Sequence, residues 1–353
     1  MNIAVLLPNW IGDAVMATPT LRALHHRFGH HAKITGIMRP LIAQVLAGTP
    51  WLDRTIYYDH RSRNPDLKLA HVLRQLKSMP LDTMLLLPNS FRSGLMAWLS
   101  GAPRRVGYAR YGRGKLLTDR LHPARHGKTW IPTSAVNYYL DLAYTMGCPP
   151  ESRRPELATS AEDELRADRV WRNLDLWNAS RVILLNTGSV RGSAKHWPAA
   201  YYVRLAHKLV EDPQNTVLVI CGPAERQSAL WIERAANHAR IRSMAHQNLE
   251  LGVAKACIRR SQLMVTTDSG PRHIATALDV PVVTMFGPID PRWSETYHPQ
   301  SINLLQAVSC GPCGHHVCPF EHHRCMQELS VERVYAAVNR LLHEKHQQVA
   351  SAA

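Results

Sequence analysis

An α/β fold class, with two doubly wound parallel sheets one after the other, is what this sequence predicts. Three observations carry the prediction. Short, β-branched apolar runs alternate with helical stretches along the chain, the pattern of an open sheet covered by helices on both faces. The runs are apolar throughout, as in parallel strands buried on both sides. Near the middle a Pro-rich stretch interrupts the pattern, after which the same layout restarts.

In the first half, Ile3–Leu7 reads as a strand and Pro8–Asp13 as a loop. Ala14–Phe28 reads as a helix with a kink or late start at Pro19. Strands follow at Ile34–Met38 and Thr55–Tyr58, then a basic helix around Asp66–Lys77. Thr83–Leu87 is a strand that runs into Pro88–Gly94 and a helix. The Gly- and Arg-rich segment Val106–Leu121 reads as a mobile or substrate-facing loop. Its glycines match neither GxGxxG nor GxxxxGK[ST], so those nucleotide loops are not supported. A helix at Ser134–Met146 stops at Gly147, and Pro149–Thr159 reads as the interdomain linker.

The second half begins with a helix near Ala161–Asn173 and the strand Arg181–Asn186. The loop Thr187–Lys195 and His196-Trp197-Pro198 lead into the helix Ala199–Val210. Val217–Cys221 is a strand that opens into Gly222–Glu225 and another helix. A helix at Leu249–Arg260 delivers the chain to the strand Leu263–Thr267. Asp268-Ser269-Gly270-Pro271 then breaks that strand, with Pro271 in the first turn of a helix, where its missing N–H costs nothing. Val280–Phe286 is a further strand, and Val331–His343 a final helix that packs back across the domains. The expected division is 1–155, 156–330 and the terminal helix segment 331–353, with the two Rossmann-like domains facing each other.

Length and composition bound the function. The chain has 353 residues, 45% of them hydrophobic and 20% charged, which suits a soluble two-domain protein. No apolar run approaches the ~18 residues of a membrane span. MNIAVLLPNWIGD lacks a basic n-region and reads as a first strand rather than a signal peptide. Seven cysteines, an odd number, give no disulfide framework and fit a reducing cytosol. The net charge of +15 calls for an anionic partner. No basic block or nucleic-acid motif accompanies that charge, so no nucleic acid is expected; a phosphorylated acceptor at an anionic membrane face fits at least as well.

Three loops of the second half, Thr187–Lys195, Gly222–Glu225 and Asp268–His273, each follow a strand and precede a helix. In a parallel sheet such loops gather on one edge, where unpaired N–H groups and helix dipoles favour anions. Together they offer close backbone approach, hydroxyls, Lys195, Glu225, Asp268 and His273. A diphosphate would take the N–H groups and Lys195, and sugar hydroxyls the carboxylates. An N-cap is the structural alternative for Asp268, a first-turn carboxylate for Glu225, and a core or capping histidine for His273.

Lys195-His196-Trp197-Pro198, Gly222-Pro223-Ala224-Glu225 and Asp268-Ser269-Gly270-Pro271-Arg272-His273, with Trp10-Ile11-Gly12-Asp13-Ala14-Val15-Met16, resemble the bacterial ADP-heptose:lipopolysaccharide heptosyltransferases of glycosyltransferase family 9. The resemblance runs from about residue 1 to 340. Leu87-Pro88-Asn89-Ser90-Phe91-Arg92-Ser93 and the Ser193-Ala194-Lys195 spacing look more like subtype II than subtype I.

The resemblance implies the glycosyltransferase B fold, with an N-terminal acceptor domain and a C-terminal donor domain. It implies inverting, metal-independent transfer of heptose from ADP-L-glycero-D-manno-heptose to the first heptose of the lipopolysaccharide inner core, with no cofactor. The enzyme would be cytoplasmic, at the inner face of the inner membrane. Asp13 matches the family's base, whose alternative role is an N-cap. Lys195 would serve the departing diphosphate. The donor residues would be Thr187, Gly188, Ser189, Lys195, Glu225, Asp268, Ser269, Gly270 and His273. Asn89, Ser90, Arg92, Arg104, Arg105, Arg110 and Arg113, with Lys115, are the candidates for the acceptor's anionic groups. Subtypes I and III or another sugar transferase of the same family are the nearest alternatives, and a basic nucleic-acid-binding protein or a metal-binding interaction module centred on the Cys-rich segment the remote ones.

One cluster stands apart. Cys310, Cys313, Cys318 and Cys325, interleaved with His315, His316, His322 and His323, are candidates for a tetrahedral structural zinc. Only the first pair has finger-like spacing, and free thiols or packing at the acceptor edge are the alternatives.

Overall fold

Six strands in each half pair into an all-parallel sheet, and both sheets have the same strand order. The computed structural model describes residues 1–127, 129–188 and 193–352, the side chains of Ser193 and of 345–352 excepted. Two units result, Met1–Ala158 with Arg292–Tyr297, and Thr159–Pro291 with His298–Ala353.

In the first unit β1 (Asn2–Leu6), β2 (Lys33–Met38), β3 (Arg54–Tyr57), β4 (Thr83–Leu86), β5 (Arg104–Tyr108) and β6 (Asp119–Leu121) lie in the order β3-β2-β1-β4-β5-β6. A short antiparallel hairpin follows, β7 (Arg125–His126) and β8 (Thr129–Trp130). In the second unit β9 (Arg181–Asn186), β10 (Asn215–Ile220), β11 (Ile241–Ser243), β12 (Leu263–Thr267), β13 (Val282–Phe286) and β14 (Ser301–Leu305) lie in the order β11-β10-β9-β12-β13-β14. The central strands are buried along their whole length, which is why their sequences are apolar without alternation. The order reverses direction between β1 and β4 and again between β9 and β12, which makes those strand ends the topological switch points.

Several elements differ from expectation. The helix read as Ala14–Phe28 is two helices, Ile11–Met16 and Thr18–Phe28. Of the kink or late start read at Pro19, the structure has the start: Pro19 sits in the first turn of the second helix. Asp13 therefore lies in the first turn of a helix, not in the loop before it. Helix Pro40–Leu46 and strands β11 and β14 were not read from the sequence. The final helix, Val331–Ala352, packs on the second unit's helix Ala199–Val210 and on β12 and β13.

Val106–Leu121 is not a loose loop. It holds the end of β5, a 3-10 turn at Arg113–Leu116, and β6. Arg113 pins it from inside, with no exposed surface. Its guanidinium donates to Tyr108 O (2.9 Å), Ser93 Oγ (2.6 Å), Asn89 Oδ1 (3.1 Å) and Pro88 O. Burial pulls its pKa down to about 10, so it stays charged at neutral pH. Gly94 makes room for it: a Cβ there would lie 2.9 Å from Arg113 Cβ.

Removing the Arg113 side chain leaves buried acceptors without donors, at ~1–3 kcal/mol each. Arg113→Ala is expected to lower unfolding free energy by ~3 kcal/mol or more, read from urea denaturation, whereas exposed Arg92→Ala stays within ~0.5 kcal/mol. Equal, small effects would contradict the pinning role.

Candidate functional site

At the switch point of the second unit, β9 ends in Asn186 and β12 in Thr267. Asn186 is buried, and its amide donates to Thr266 Oγ1 (2.9 Å) and Ser269 Oγ (3.0 Å). Thr267 Oγ1 donates to Gly188 O at 3.3 Å. These bonds fasten the loop after β9 to the loop after β12. Gly188 also faces the loop after β10, for a Cβ there would lie 3.0 Å from Glu225 Cδ. Glu225 closes its own turn, accepting from the Gly222 N–H at 3.0 Å. The three loops singled out in the sequence thus converge around Gly188.

Charge gathers at the same place. Lys195, on the short 3-10 turn Ser193–Lys195, is 9% exposed. Its ammonium donates to the Asp268 carboxylate at 2.6 Å and to Asp268 O at 3.1 Å. Arg272, one helical turn beyond Asp268 and fully buried, reaches the other carboxylate oxygen at 3.4 Å. Arg272 Nε donates to Thr284 Oγ1, and the guanidinium lies 4.8 Å from the Phe286 ring centre. Burial alone would raise the Asp268 pKa, but the charges of Lys195 and then Arg272 overcome it and hold the carboxyl at about 2. Two cations around one carboxylate leave the trio with a net positive charge.

His273 is neutral at physiological pH: burial, then the Arg272 charge, pushes its pKa down to about 3. Its Nδ1 has no hydrogen-bond partner among the described residues. Gly270 begins the helix Gly270–Ala277, with Ser269 as N-cap. The Thr187 hydroxyl is buried beside Gly188. Ser189 lies outside the described residues, as do residues 190–192 of the same loop.

The switch point of the first unit is built from aromatic residues. The Tyr139 hydroxyl donates to Asp13 Oδ1 at 3.3 Å. Burial, then the Asp13 charge, raises the Tyr139 pKa well above the usual phenol value, so the phenol remains a donor. Beside it on the helix Ala135–Thr145, Tyr138 donates to Asn89 Oδ1 at 3.1 Å and stacks on Tyr108 at 3.7 Å. Asn89 thus accepts from both Tyr138 and Arg113. Ser90 caps the helix Phe91–Leu99, accepting from the Ser93 N–H.

The basic candidates separate by surroundings. Arg113 is internal. Arg104 pairs with Asp119 at 3.0 Å and donates to Thr145 O. Arg105 donates to Leu116 O and Ala102 O. Arg92 and Lys115 are exposed and Arg110 half-buried. Asn186, Arg272, Tyr138 and Tyr139 were not singled out by sequence reasoning, although the Asp268-x3-Arg272 spacing carried a helical i,i+4 signal for one of them.

Cys310, Cys313, Cys318 and Cys325 are free thiols. Burial, then the neighbouring Cys313, Cys310 and Cys318, raises the Cys325 pKa. Among the described residues no three His, Cys, Asp or Glu side chains are arranged to hold a metal ion, so the zinc candidate has no formed ligand set. No described helix is long and apolar enough to cross a membrane.

The sequence model for glycosyltransferase family 9 (heptosyltransferase) matches residues 69–324, most of the chain. The chain belongs to that family. It is a glycosyltransferase, and its paired Rossmann-like units are those of the glycosyltransferase B fold. It is 26% identical to lipopolysaccharide heptosyltransferase 2 of Escherichia coli, over 97% of this chain and 99% of that one. The structure of E. coli ADP-heptose lipopolysaccharide heptosyltransferase II superposes with a TM-score of 0.80 at 25% identity, covering 98% of this chain and 100% of that one. E. coli heptosyltransferase WaaC with ADP-2-deoxy-2-fluoro heptose shares the fold, with a TM-score of 0.71 at 17% identity over 96% and 99% of the two chains.

The neutral burial of His273 predicts a pH signature. The unfolded chain binds a proton at this residue below ~6.5, while the native state does not until about 3, so stability falls as pH drops through that window. The slope is ~1.4 kcal/mol per pH unit for one proton. Urea unfolding of the wild type and His273→Gln between pH 4.5 and 7 is expected to show a shallower slope in the variant. Parallel curves would mean that His273 does not titrate on unfolding.

Proposed function

We propose that this glycosyltransferase moves heptose from ADP-heptose to the first heptose of the lipopolysaccharide inner core, with inversion and without need of a metal. The observation that carries the reading is the convergence of three strand-end loops on a net-positive Lys195–Asp268–Arg272 cluster. That arrangement suits a nucleoside diphosphate, whose two phosphates accept N–H groups and a cation. The names of the relatives, lipopolysaccharide heptosyltransferases 2 and II, support the sugar and the acceptor. The neighbour solved with ADP-2-deoxy-2-fluoro heptose supports the donor.

In this reading Thr187, Gly188, Ser189, Ser269 and Gly270 contact the donor through close backbone approach and hydroxyls. Glu225 receives the ribose hydroxyls, and Asp268 with neutral His273 lines the sugar-diphosphate. Asp13 takes the proton from the acceptor hydroxyl. The hydroxyl oxygen forms the new bond to the anomeric carbon, whose bond to the ADP oxygen breaks. The electron pair leaves on ADP, where Lys195 and the amino end of helix Gly270–Ala277 meet the added charge. Tyr139 is the positioning residue for Asp13. Asn89, Ser90, Arg92, Arg104, Arg105, Arg110 and Arg113 belong to the acceptor side. Arg113 acts through Asn89, and Arg104 and Arg105 through the strands that carry them. The excess positive charge suits peripheral residence at the anionic cytoplasmic face of the inner membrane.

Transfer from ADP-heptose to cores truncated after zero or one heptose tests the assignment. Product is expected only with the one-heptose core; turnover on the heptose-free core would make the enzyme subtype I. Asp13→Ala is expected to lose ~10²–10⁴-fold in rate and to keep ADP affinity within about threefold, as a base acting on the acceptor alone requires. Weakened ADP binding with substantial remaining turnover would refute the assigned role.

A further inference from the structure

The first unit contains a cavity of about 300 Å³ bordered by Tyr108, Arg110, Trp130, Tyr138, Asp141 and Trp293. We infer that this cavity is a subsite for a pyranose ring of the acceptor saccharide, with Trp293 as its stacking face and Asp141 and Arg110 as its hydroxyl partners. The inference rests on the glycosyltransferase reading above and names the side chains that would hold its acceptor.

The chemistry of the walls favours a sugar. A pyranose has an apolar C–H face and a rim of hydroxyls, so it needs an open aromatic surface beside polar groups. Trp293 is 42% exposed although the segment that carries it is held. Ser134 Oγ donates to Glu295 O at 2.7 Å, and Asn137 Nδ2 to Tyr297 Oη at 2.8 Å. Both anchors sit at the start of the helix that also presents Tyr138 and Asp141. An exposed indole on an anchored segment loses little conformational entropy when a ligand covers it.

The polar partners are equally set. The Asp141 carboxylate accepts from Tyr108 Oη at 3.1 Å and has further lone pairs for ligand hydroxyls. The Arg110 guanidinium lies 4.4 Å from the Trp130 ring centre and 5.1 Å from that of Tyr111, which fixes its plane at the cavity wall. A hydroxyl or an anionic substituent on the sugar can take its N–H groups.

The location connects the cavity to the candidate chemistry. Tyr138, a wall residue, donates to Asn89 at the end of β4. Its neighbour Tyr139, with ring centres 6.0 Å apart, holds Asp13. A sugar in the cavity therefore sits against the same short stretch of helix that positions the proposed base. The loops suited to a nucleotide belong to the second unit, which leaves this cavity for the acceptor.

Two measurements on the full-length protein test the assignment. Steady-state transfer to the one-heptose core should show the acceptor KM of Trp293→Ala raised about tenfold, with donor KM within about twofold because the residue touches only the acceptor. Trp293→Phe, which keeps a ring, should recover most of the loss. Donor-free saturation-transfer NMR with the deacylated core oligosaccharide should show contact in the wild type and a marked loss in Trp293→Ala and Asp141→Asn. If the wild type transfers heptose but Trp293→Ala keeps its acceptor KM and its NMR contact, the cavity assignment falls and the transferase reading stands. If the wild type transfers no heptose but binds the oligosaccharide through Trp293, the proposed donor or acceptor of the transfer falls and the sugar site stands.

Discussion

Asp268 is an ionised carboxylate buried between two cations, and much of the second unit is arranged to keep it so. A buried ion pair is a poor device for stability, because desolvating the charges costs several kcal/mol and well-packed apolar residues often do as well. Lys195 and Asp268 are each about one-tenth exposed at the side chain, and Arg272 not at all. That cost makes the cluster a candidate for a site that uses the charge. Perturbed, partly desolvated groups at a strand-end crevice are a mark of function, and here the Asp268 and His273 pKa values are displaced together.

The surrounding architecture serves that cluster. Asn186 and Thr267 bind the β9 and β12 loops to each other, and Gly188 admits Glu225 from the third loop. The first unit repeats the strand order with different chemistry at the same topological point. There the carboxylate, Asp13, has a phenol as partner, and the β4 loop is held by Arg113 and Tyr138. One sheet plan therefore supports a charged cluster in one unit and an aromatic, hydroxyl-rich one in the other.

The strands were legible because parallel strands buried on both faces are continuously apolar, and the three loops of the second unit were legible because each sits between a strand and a helix. What joins them was not. Lys195 and Asp268 are 73 residues apart, and nothing local in either loop announces the pair. Arg113 was read as a ligand for anions because arginines usually face water. Only its packing under Gly94 and its four internal acceptors show otherwise. Trp293 went unread for a topological reason: it lies in the second half of the chain but belongs to the first unit. The helix break at Ala17 was placed too late because Pro19 drew attention, while the break itself precedes it. Four cysteines in sixteen residues suggested a metal; Cys310, Cys313 and Cys318 do neighbour Cys325, but among the described residues no three His, Cys, Asp or Glu side chains are arranged to hold one.

The central claim is that the Lys195–Asp268–Arg272 cluster exists to receive the phosphates of a nucleoside diphosphate. Calorimetric titration of the wild type and Lys195→Met with ADP, AMP and adenosine tests it most directly. One charge-assisted contact is worth ~1.5–3 kcal/mol, so the account predicts that the variant loses about tenfold or more in ADP affinity and leaves adenosine unchanged. Equal affinities of the two proteins for ADP would contradict it.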